Sequence, residues 1–199
     1  MIVVLDTETT ALPLFPDAGH QDVDLWPRLV SVAWSVLKPG PCPPPTQYVL
    51  RPRGYEIPES ATKIHGISHK DAEENGVGIG DISRSLLSLL ESSHGKKNII
   101  CCYNAKFDRG VVLAEFLRQG QTDIYHALLA CEWQCVMMQA SKLLQWPRYK
   151  KLSVCAEEMN ITVNQSALHT ATGDVTLTIL VMKALAKQIK KKQTEIQQK

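Results

Sequence analysis

The sequence has no long hydrophobic run. None of its 199 residues lies in a segment that approaches the about 18 uninterrupted apolar residues of a membrane-spanning helix. The short apolar run at residues 1–5 is interrupted at once by Asp6 and Glu8, and no basic stretch precedes it, so it lacks the pattern of a secretory signal peptide. The sequence therefore predicts an intracellular protein without a membrane segment, and it leaves the compartment open.

The sequence also lacks the paired cysteines of a zinc site. Its six cysteines stand at positions 42, 101, 102, 131, 135 and 155. No two of them have the C-x-x-C spacing that many structural zinc sites use. With no secretory signal, we expect reduced thiols, four of them in the core. Cys101 and Cys102 should face opposite sides of a strand, because adjacent residues alternate across it. A structural zinc protein is thereby disfavoured.

A net positive charge over the body of the chain is missing as well. Residues 1–182 have 16 basic and 19 acidic residues, a net charge of −3, whereas residues 183–199 have six lysines and one glutamate, a net charge of +5. We expect one folded domain over residues 1–182 and a basic C-terminal helix end or tail over residues 183–199. Such a body does not bind nucleic acid by bulk electrostatics, although a metal cluster and local basic residues can hold a few phosphates.

The hydrophobic pattern predicts alternating strands and helices. Short apolar or alternating runs predict strands at residues 2–5, 29–37, 48–50, 98–103 and 131–136. Helical periodicity predicts helices at residues 81–93, 108–119, 137–144, 153–159 and 173 to about 193. The first three strands indicate an antiparallel meander with an exposed proline-rich connection at residues 39–45. The later strands lead into helices, which indicates crossovers onto a mixed sheet.

The glycine-rich stretch GVGIG at residues 76–80 does not have the context of a phosphate-binding loop. No predicted strand precedes it, and a phosphate-binding glycine loop needs one. We interpret Gly76, Gly78 and Gly80 as loop residues, followed by a helix with Asp81 as its N-cap.

Four acidic residues and one histidine are the most informative part of the sequence. They are Asp6 and Glu8 after the first apolar run, Asp108 at the end of CYNAKFD, and His169 and Asp174 at the ends of HTATGD. A strand places residues two apart on one face, so Asp6 and Glu8 can point into one pocket. Gathered carboxylates repel one another unless a cation lies among them, and their oxygens are ligands that Mg²⁺ and Mn²⁺ prefer. The pattern predicts a hard-cation site.

The spacing of His169 and Asp174 predicts different positions for the two residues. Five residues on one helix would turn about 500°, which leaves the side chains about 140° apart. His169 should therefore precede the helix and lie on a loop, where it can move toward a substrate. Asp174 should be fixed by the helix.

Three motifs in order resemble those of the DEDDh family, the DnaQ-like 3′→5′ exonucleases. They are DTETT at residues 6–10, NAKFD at residues 104–108 and HTATGD at residues 169–174. The segment ATKIHGIS at residues 61–68 resembles one in polymerase III proofreading subunits, and HTATGDV resembles the third motif of three-prime repair exonucleases. One D-x-E is a weak signal, but three motifs in this order are specific. The resemblance covers residues 1 to about 182.

The resemblance implies a fold and a chemistry. The expected fold is α/β and ribonuclease H-like, a five-stranded mixed sheet flanked by helices on both faces. Two divalent cations, Mg²⁺ or Mn²⁺, would be held by Asp6, Glu8, Asp108 and Asp174, with Asp6 bridging both. His169 would be the general base that takes the proton from the attacking water. The expected reaction releases nucleoside 5′-monophosphates from the 3′ ends of single-stranded DNA.

The same resemblance gives five candidate nucleic-acid contacts. They are Thr9, Thr10, Leu12, His65 and Asn104. Each also has a structural interpretation: the threonines as turn residues, Leu12 as core, Asn104 as a brace for the second motif, and His65 as a hydrogen-bond partner of its own loop. The insertion at residues 13–27 is long for this family and leaves the rim of the site undefined.

Alternative functions remain open at this point. One is an exoribonuclease on short RNA, and another is a catalytically inactive nucleic-acid-binding or polymerase-binding module of the same fold. The intact acidic residues and histidine disfavour the inactive module. The choice between DNA and RNA depends on contacts to the 2′ hydroxyl, which the sequence does not reveal. A polymerase partner and the oligomeric state also stay open.

Overall fold

The computed structural model describes residues 1–15 and 17–197. Gln198 and Lys199, the last residues of the predicted basic tail, lie outside the described residues, as does Pro16 in the insertion. Across the described ranges, no helix has the length and apolar character needed to cross a membrane.

A five-stranded sheet forms the centre of the protein. Its strands are β1 (Ile2–Thr9), β2 (Leu29–Val36), β3 (Thr46–Val49), β4 (Ile99–Cys102) and β5 (Glu132–Cys135). The strand order is β3-β2-β1-β4-β5, with β1–β2 and β2–β3 antiparallel and β1–β4 and β4–β5 parallel. The predicted meander and the predicted mixed sheet are both confirmed. The first strand is longer than predicted, because it continues through both acidic residues as far as Thr9.

Eight α-helices accompany the sheet in the described part of the chain. They are α1 (Glu59–His65), α2 (His69–Asn75), α3 (Ile79–Glu91), α4 (Ala105–Arg118), α5 (Thr122–Ala130), α6 (Val136–Leu144), α7 (Leu152–Glu158) and α8 (Ala171–Gln197). One buried cluster joins one sheet face to α3, α4 and α5, and a second joins the other face to α6, α7 and α8. Helices on both faces confirm the predicted ribonuclease H-like arrangement.

Adjacent residues of the strands supply the two cores. In β1, Val3 and Leu5 belong to the cluster with α3, α4 and α5, whereas Val4 belongs to the cluster with α6, α7 and α8. Cys101 and Cys102 divide in the same way, and both are buried. The prediction that these two cysteines face opposite sides of a strand is confirmed. All six cysteines are free thiols, and three of them are fully buried rather than the four expected.

The start and the N-cap predicted for helix α3 were wrong. This helix begins at Ile79 with Gly78 as its N-cap, so Gly80 is helical and Asp81 lies in the first turn instead of capping it. Extended backbone at Gly78, which lacks a side chain, permits this earlier start. The short helices α1 and α2 and the helix α5 were not predicted. Each of the two seven-residue helices buries only one or two residues, too few to produce a periodic signal.

The last helix runs without a break from Ala171 to Gln197. It passes the predicted boundary at residue 182, and Leu185 beyond that boundary is still packed in the core. The basic segment is therefore the end of a helix whose earlier turns form part of the domain. Lys187, Lys190, Lys191 and Lys192 are exposed on this helix, but its last turn contains no basic residue.

A buried ion pair fixes α4 to β2. The Glu115 carboxylate is fully buried and accepts hydrogen bonds from Arg28 Nη2 at 2.8 Å and Nε at 3.0 Å, and it also pairs with Arg118. Burial raises the pKa of Glu115, but the hydrogen bonds from Arg28 and Gln119 and the two guanidinium charges outweigh this and hold it below its ordinary value. The site-bearing helix α4 is therefore held in one position.

Candidate active site

Three carboxylates meet where β1 ends. Asp6 and Glu8 lie two apart on β1, on the face that Val4 presents to α8, and Asp174 lies in the first turn of α8. One oxygen from each of the three lies within 4.8 Å of the others. The register between β1 and β2 shifts between Glu8 and Thr9, and such irregularities re-aim side chains at the end of a strand. The sequence motifs separated by most of the chain are thus brought together.

The beginning of α8 is fixed in place. The Thr170 hydroxyl accepts a hydrogen bond from Gly173 N–H at 3.1 Å and donates one to the Ala167 carbonyl at 2.7 Å. A Cβ atom at Gly173 would lie 1.9 Å from that same carbonyl oxygen, so only glycine permits this close approach. Asp174 follows directly, and its carboxylate therefore has little freedom to move.

Asp108 reaches the site from the other face of the sheet. It is 3% exposed and accepts a hydrogen bond from the Thr7 hydroxyl at 2.8 Å. Thr7 lies between Asp6 and Glu8 on β1, so its side chain points to the face that α4 covers. Asp108 is not among the three residues whose oxygens lie within 4.8 Å of one another, but its charge raises the pKa of Asp6. Helix α4 begins at Ala105, three residues before the predicted start.

The four carboxyl groups have raised pKa values. Burial raises the pKa of Asp6 well above its ordinary value, and the charges of Asp108, Asp174 and Glu8 raise it further. Burial, followed by the charges of Asp174 and Asp108, raises the pKa of Glu8 to about 8. The pKa of Asp108 rises to about 7, mainly through burial, and burial also raises that of Asp174. The mutual repulsion of these carboxylates adds to the effect of burial and favours a cation among them.

The donor set fits divalent cations. Asp174 Oδ1 is buried and has no hydrogen-bond partner in the part of the chain that the structure describes. A buried carboxylate oxygen without a donor is costly, and a cation among the three carboxylates would satisfy it. Carboxylate oxygens alone, without thiolate or imidazole among them, suit Mg²⁺ or Mn²⁺ better than a softer metal.

His169 lies on the loop before α8, as the spacing predicts. It is exposed and its backbone φ is +60°, in the left-handed region that histidine enters more often than most residues. Burial raises the pKa of Asp174, and the charge and backbone of the nearby His169 offset part of this effect. His169 therefore lies near the Asp174 carboxylate and is exposed to solvent.

A groove of about 330 Å³ extends from Glu8 along the surface. Four of the five candidate nucleic-acid contacts line it: Thr9, Thr10, Leu12 and His65. Asn104 is not part of its lining and stands exposed just before α4. Sequence reasoning missed Ile64 and Phe107, which also line the groove. The only sequence signal for these two residues was that each is an apolar residue within a motif. Many core residues share that property, so it did not identify them as groove residues.

The structure gives these contacts local partners. Thr10 Oγ1 accepts from Arg28 N–H at 3.0 Å, and Thr9 Oγ1 donates to the Ala11 carbonyl at 2.7 Å, so both threonines also hold a turn. Leu12 is 79% exposed and is not a core residue. His65 Nδ1 accepts from Ile67 N–H at 3.1 Å, within its own loop. Its Nε2 is buried without a partner among the described residues, which leaves that nitrogen available to a ligand.

Solved structures with a similar fold are nucleases that act on 3′ ends. No family model matches the chain, and no curated protein matches it in sequence. A 3′-exonuclease that recognises the 3′ end of the histone mRNA stem-loop has a TM-score of 0.73 at 11% identity, over 94% of this chain and 81% of its own. Escherichia coli exonuclease I, in a zinc-bound complex with single-stranded DNA, has a TM-score of 0.71 at 21% identity, over 94% of this chain and 40% of its own. This chain has the DnaQ-like exonuclease fold.

A third structure with the DnaQ-like exonuclease fold is exonuclease X in complex with 5′ overhanging duplex DNA. Its TM-score is 0.54 at 21% identity, over 92% of this chain and 90% of its own. The chain spans about two fifths of the length of exonuclease I, so the match covers only part of that protein. These similarities give no support for a polymerase partner, which stays open.

The raised pKa values predict how the metal-free protein responds to pH. A carboxyl group whose pKa is higher in the folded state binds its proton more tightly there, so the free energy of unfolding should increase as pH falls. For Glu8 the gain should begin as pH falls through about 8 and be complete near the ordinary pKa of 4.5. In EDTA, we expect the melting temperature to rise as the pH is lowered from about 9 to about 6.

Two controls assign this response to the site. Glu8→Gln removes one titrating group, so the rise should be smaller in this variant. Excess Mg²⁺ should weaken the pH dependence, because bound cations favour the ionised carboxylates. A wild-type melting temperature in EDTA that falls continuously over this range would contradict the assignment.

Proposed function

We propose that the protein is a metal-dependent 3′→5′ exonuclease that releases nucleoside 5′-monophosphates from single-stranded DNA. The observation that supports this most strongly is the meeting of Asp6, Glu8 and Asp174 beside His169, in a chain that has the fold of 3′-exonucleases. Carboxylates gathered in this way are suited to divalent cations and not to covalent catalysis by a serine or cysteine. Phosphodiester hydrolysis is a reaction that such a site can perform.

The acidic residues would hold two divalent cations, Mg²⁺ or Mn²⁺. Asp6, Glu8 and Asp174 would provide the ligands on one face of β1, and Asp108 would complete the set from the other face. When bound, these cations supply neutralisation of the phosphodiester charge and a more acidic water nucleophile. Thr7 holds Asp108 in place through its hydroxyl and is a positioning residue that the sequence motif contains between the two acids.

His169 would act as the general base. Its imidazole is exposed beside the carboxylates, so a ring nitrogen can take a proton from the attacking water and pass it to solvent. The left-handed backbone at His169 lies in the loop just before the helix that fixes Asp174. A movable base beside fixed carboxylates suits a site through which successive nucleotides must pass.

The groove would hold the terminal nucleotide. Leu12 and Ile64 are exposed at 79% and 62%, and both line the groove that begins at Glu8. Apolar side chains at this place can pack against an unpaired base without reading its identity. His65 Nε2, which has no partner among the described residues, would hydrogen-bond the sugar or phosphate. Recognition of this kind is independent of sequence.

RNA is the second candidate substrate, and an inactive binding module is the third. The similar 3′-exonuclease is described as recognising the 3′ end of the histone mRNA stem-loop, which supports an exoribonuclease as the alternative. A polymerase-binding or nucleic-acid-binding module without activity would carry out no reaction, so it would have no chemical need for the acidic site. The complete set of acids and histidine favours the enzyme over the module.

A digestion series tests the function and its alternatives together. Single-stranded DNA, duplex DNA and RNA of equal length carry a 5′ label and are incubated with Mg²⁺ or Mn²⁺. We expect a ladder of labelled fragments that shorten by one nucleotide, fastest on single-stranded DNA, and no products in EDTA. Faster shortening of RNA would establish the second candidate. Immediate release of the label as a mononucleotide, or cleavage of none of the three, would refute the proposal.

A further inference from the structure

Among the described residues, the most exposed large apolar side chains line the groove or follow closely in sequence on a residue that lines it. Among the described residues, the three most exposed large apolar side chains are Leu12, Leu14 and Ile64, at 79%, 70% and 62%, and Phe15 is 60% exposed. Leu12 and Ile64 line the groove, whereas Leu14 and Phe15 belong to the insertion at residues 13–27. Contiguous exposed apolar side chains usually mark a binding surface rather than a structural feature.

The position of Phe15 follows from its neighbours along the chain. It lies three residues after Leu12, so the two backbones are at most about 10 Å apart. On the other side, Asp17 forms an ion pair with Lys106 in the first turn of α4. Lys106 directly precedes Phe107, which lines the groove. The stretch that contains Leu14 and Phe15 is therefore held between two points of the groove wall.

Hydrogen bonds and a buried tryptophan hold the described part of the insertion against the rest of the protein. Leu14 N–H donates to the Leu25 carbonyl at 3.0 Å, so the segment closes on itself, and Trp26 Nε1 donates to the Gly19 carbonyl at 3.0 Å. Trp26 is buried against Gly110 of α4, where a Cβ atom would lie 2.0 Å from the indole ring. On this held segment, Leu14 and Phe15 are exposed to solvent.

We propose that Phe15, with Leu14 beside it, is a stacking platform for unpaired bases upstream of the terminal nucleotide. This inference rests on the proposed function. The substrate that such a platform would favour is a single strand with more than one unpaired nucleotide at its 3′ end. Every base has a face that an aromatic ring can stack on, so the contact is independent of sequence. Paired bases in a duplex stack on one another and do not present that face.

The charge of the protein supports a contact of this kind. Residues 1–182 have a net charge of −3, so attraction to the phosphate backbone does not by itself retain a strand. Lys106, the basic residue next to the platform, is already paired with Asp17. Apolar contact with the bases would add affinity that does not depend on a basic surface.

The test compares substrates with and without upstream bases. Phe15→Ala is assayed on a single-stranded oligothymidylate and on the p-nitrophenyl ester of thymidine 5′-monophosphate, which has no upstream base. We expect kcat/KM to fall about tenfold on the oligonucleotide, from the usual contribution of one base–aromatic stack, and to stay unchanged on the ester. Phe15→Trp should keep the wild-type value on the oligonucleotide. In EDTA, the Kd of a labelled oligothymidylate should rise by about the same factor in Phe15→Ala.

Tyr149→Ala is the matched control, because Tyr149 is an aromatic residue with the same 60% exposure in the connection between α6 and α7. This variant should behave as the wild type on both substrates. Equal losses of Phe15→Ala on oligonucleotide and ester, or no loss on the oligonucleotide and no change in Kd, would overturn the platform. Absence of cleavage by the wild-type protein would instead refute the proposed function, while the binding measurement in EDTA would still test Phe15.

Discussion

Replacing Asp174 by asparagine should abolish cleavage of single-stranded DNA while leaving the protein folded. The substitution preserves the shape of the side chain but removes one of the three carboxylates whose oxygens lie within 4.8 Å of one another. With the cation site incomplete, phosphodiester charge is not neutralised, and the rate should fall to the background of the assay. Steady-state digestion of a 5′-labelled strand in Mg²⁺ measures the loss.

The melting temperature distinguishes a chemical loss from a structural one. The pKa of Asp174 is raised by burial, and its charge also raises the pKa values of Asp6 and Glu8, so removal of this charge should not destabilise the metal-free protein at neutral pH. Asp6→Asn should behave in the same way. Glu157→Gln changes an exposed acid on α7 and should keep full activity. Wild-type turnover by Asp174→Asn would remove this residue from the catalytic set.

Replacing His169 by asparagine should lower kcat by about 10² to 10⁴, the usual contribution of a general base. Asparagine tolerates the left-handed backbone that His169 adopts, so the loop should keep its conformation, but it cannot take the proton from water. The response to Mg²⁺ should remain, since the three carboxylates are unchanged. Single-turnover digestion measures the rate, and the shift of melting temperature on adding Mg²⁺ measures cation binding.

His94→Asn is the matched control for this substitution. His94 is also exposed and also has a positive φ, of 51°, but it lies before β4, away from the end of β1 where the carboxylates meet. Its replacement should leave the rate unchanged. A His169→Asn variant with full activity would place the base on another residue. A variant that loses both the rate and the response to Mg²⁺ would instead identify His169 as part of the cation site.

Much of the fold could be predicted because local patterns match the tertiary environment. The alternation in β2 and the apolar runs of β1 and β4 gave strands within a few residues of those observed, and Gly120 at a φ of +68° follows the end of α4. The short helices α1 and α2 could not be predicted, because their stability depends on a small separate cluster around Val30 and Ile57 rather than on their own periodicity.

The candidate site could be predicted in part. The two-residue period of a strand predicts Asp6 and Glu8 on one face. The turn angle of a helix predicts His169 outside α8. The structure shows both. The role of Thr7 could not be predicted. A threonine between two acids is unremarkable in the sequence, and only the position of α4 on the opposite face of β1 brings Asp108 to its hydroxyl.

The insertion at residues 13–27 shows the same limit. Its length was visible in the sequence, and its apolar residues Leu14 and Phe15 could have been core residues. In the structure both are exposed, while Trp26 of the same insertion is buried over Gly110, a contact between positions 84 residues apart. Local pattern contains no information about such a contact, because any apolar segment could bury itself or another.

By itself, the sequence determined the order of the five strands and of five of the helices, the residue types available for cation binding and the pairing of Asp6 with Glu8 on one face. Those properties follow from steric periodicity, which acts within a few residues. Only the tertiary structure determined that Asp174 joins them while Asp108 approaches from the opposite face, and that the insertion presents apolar side chains beside the groove. These arrangements depend on which helix covers which face of the sheet, and the packing of distant segments sets that choice.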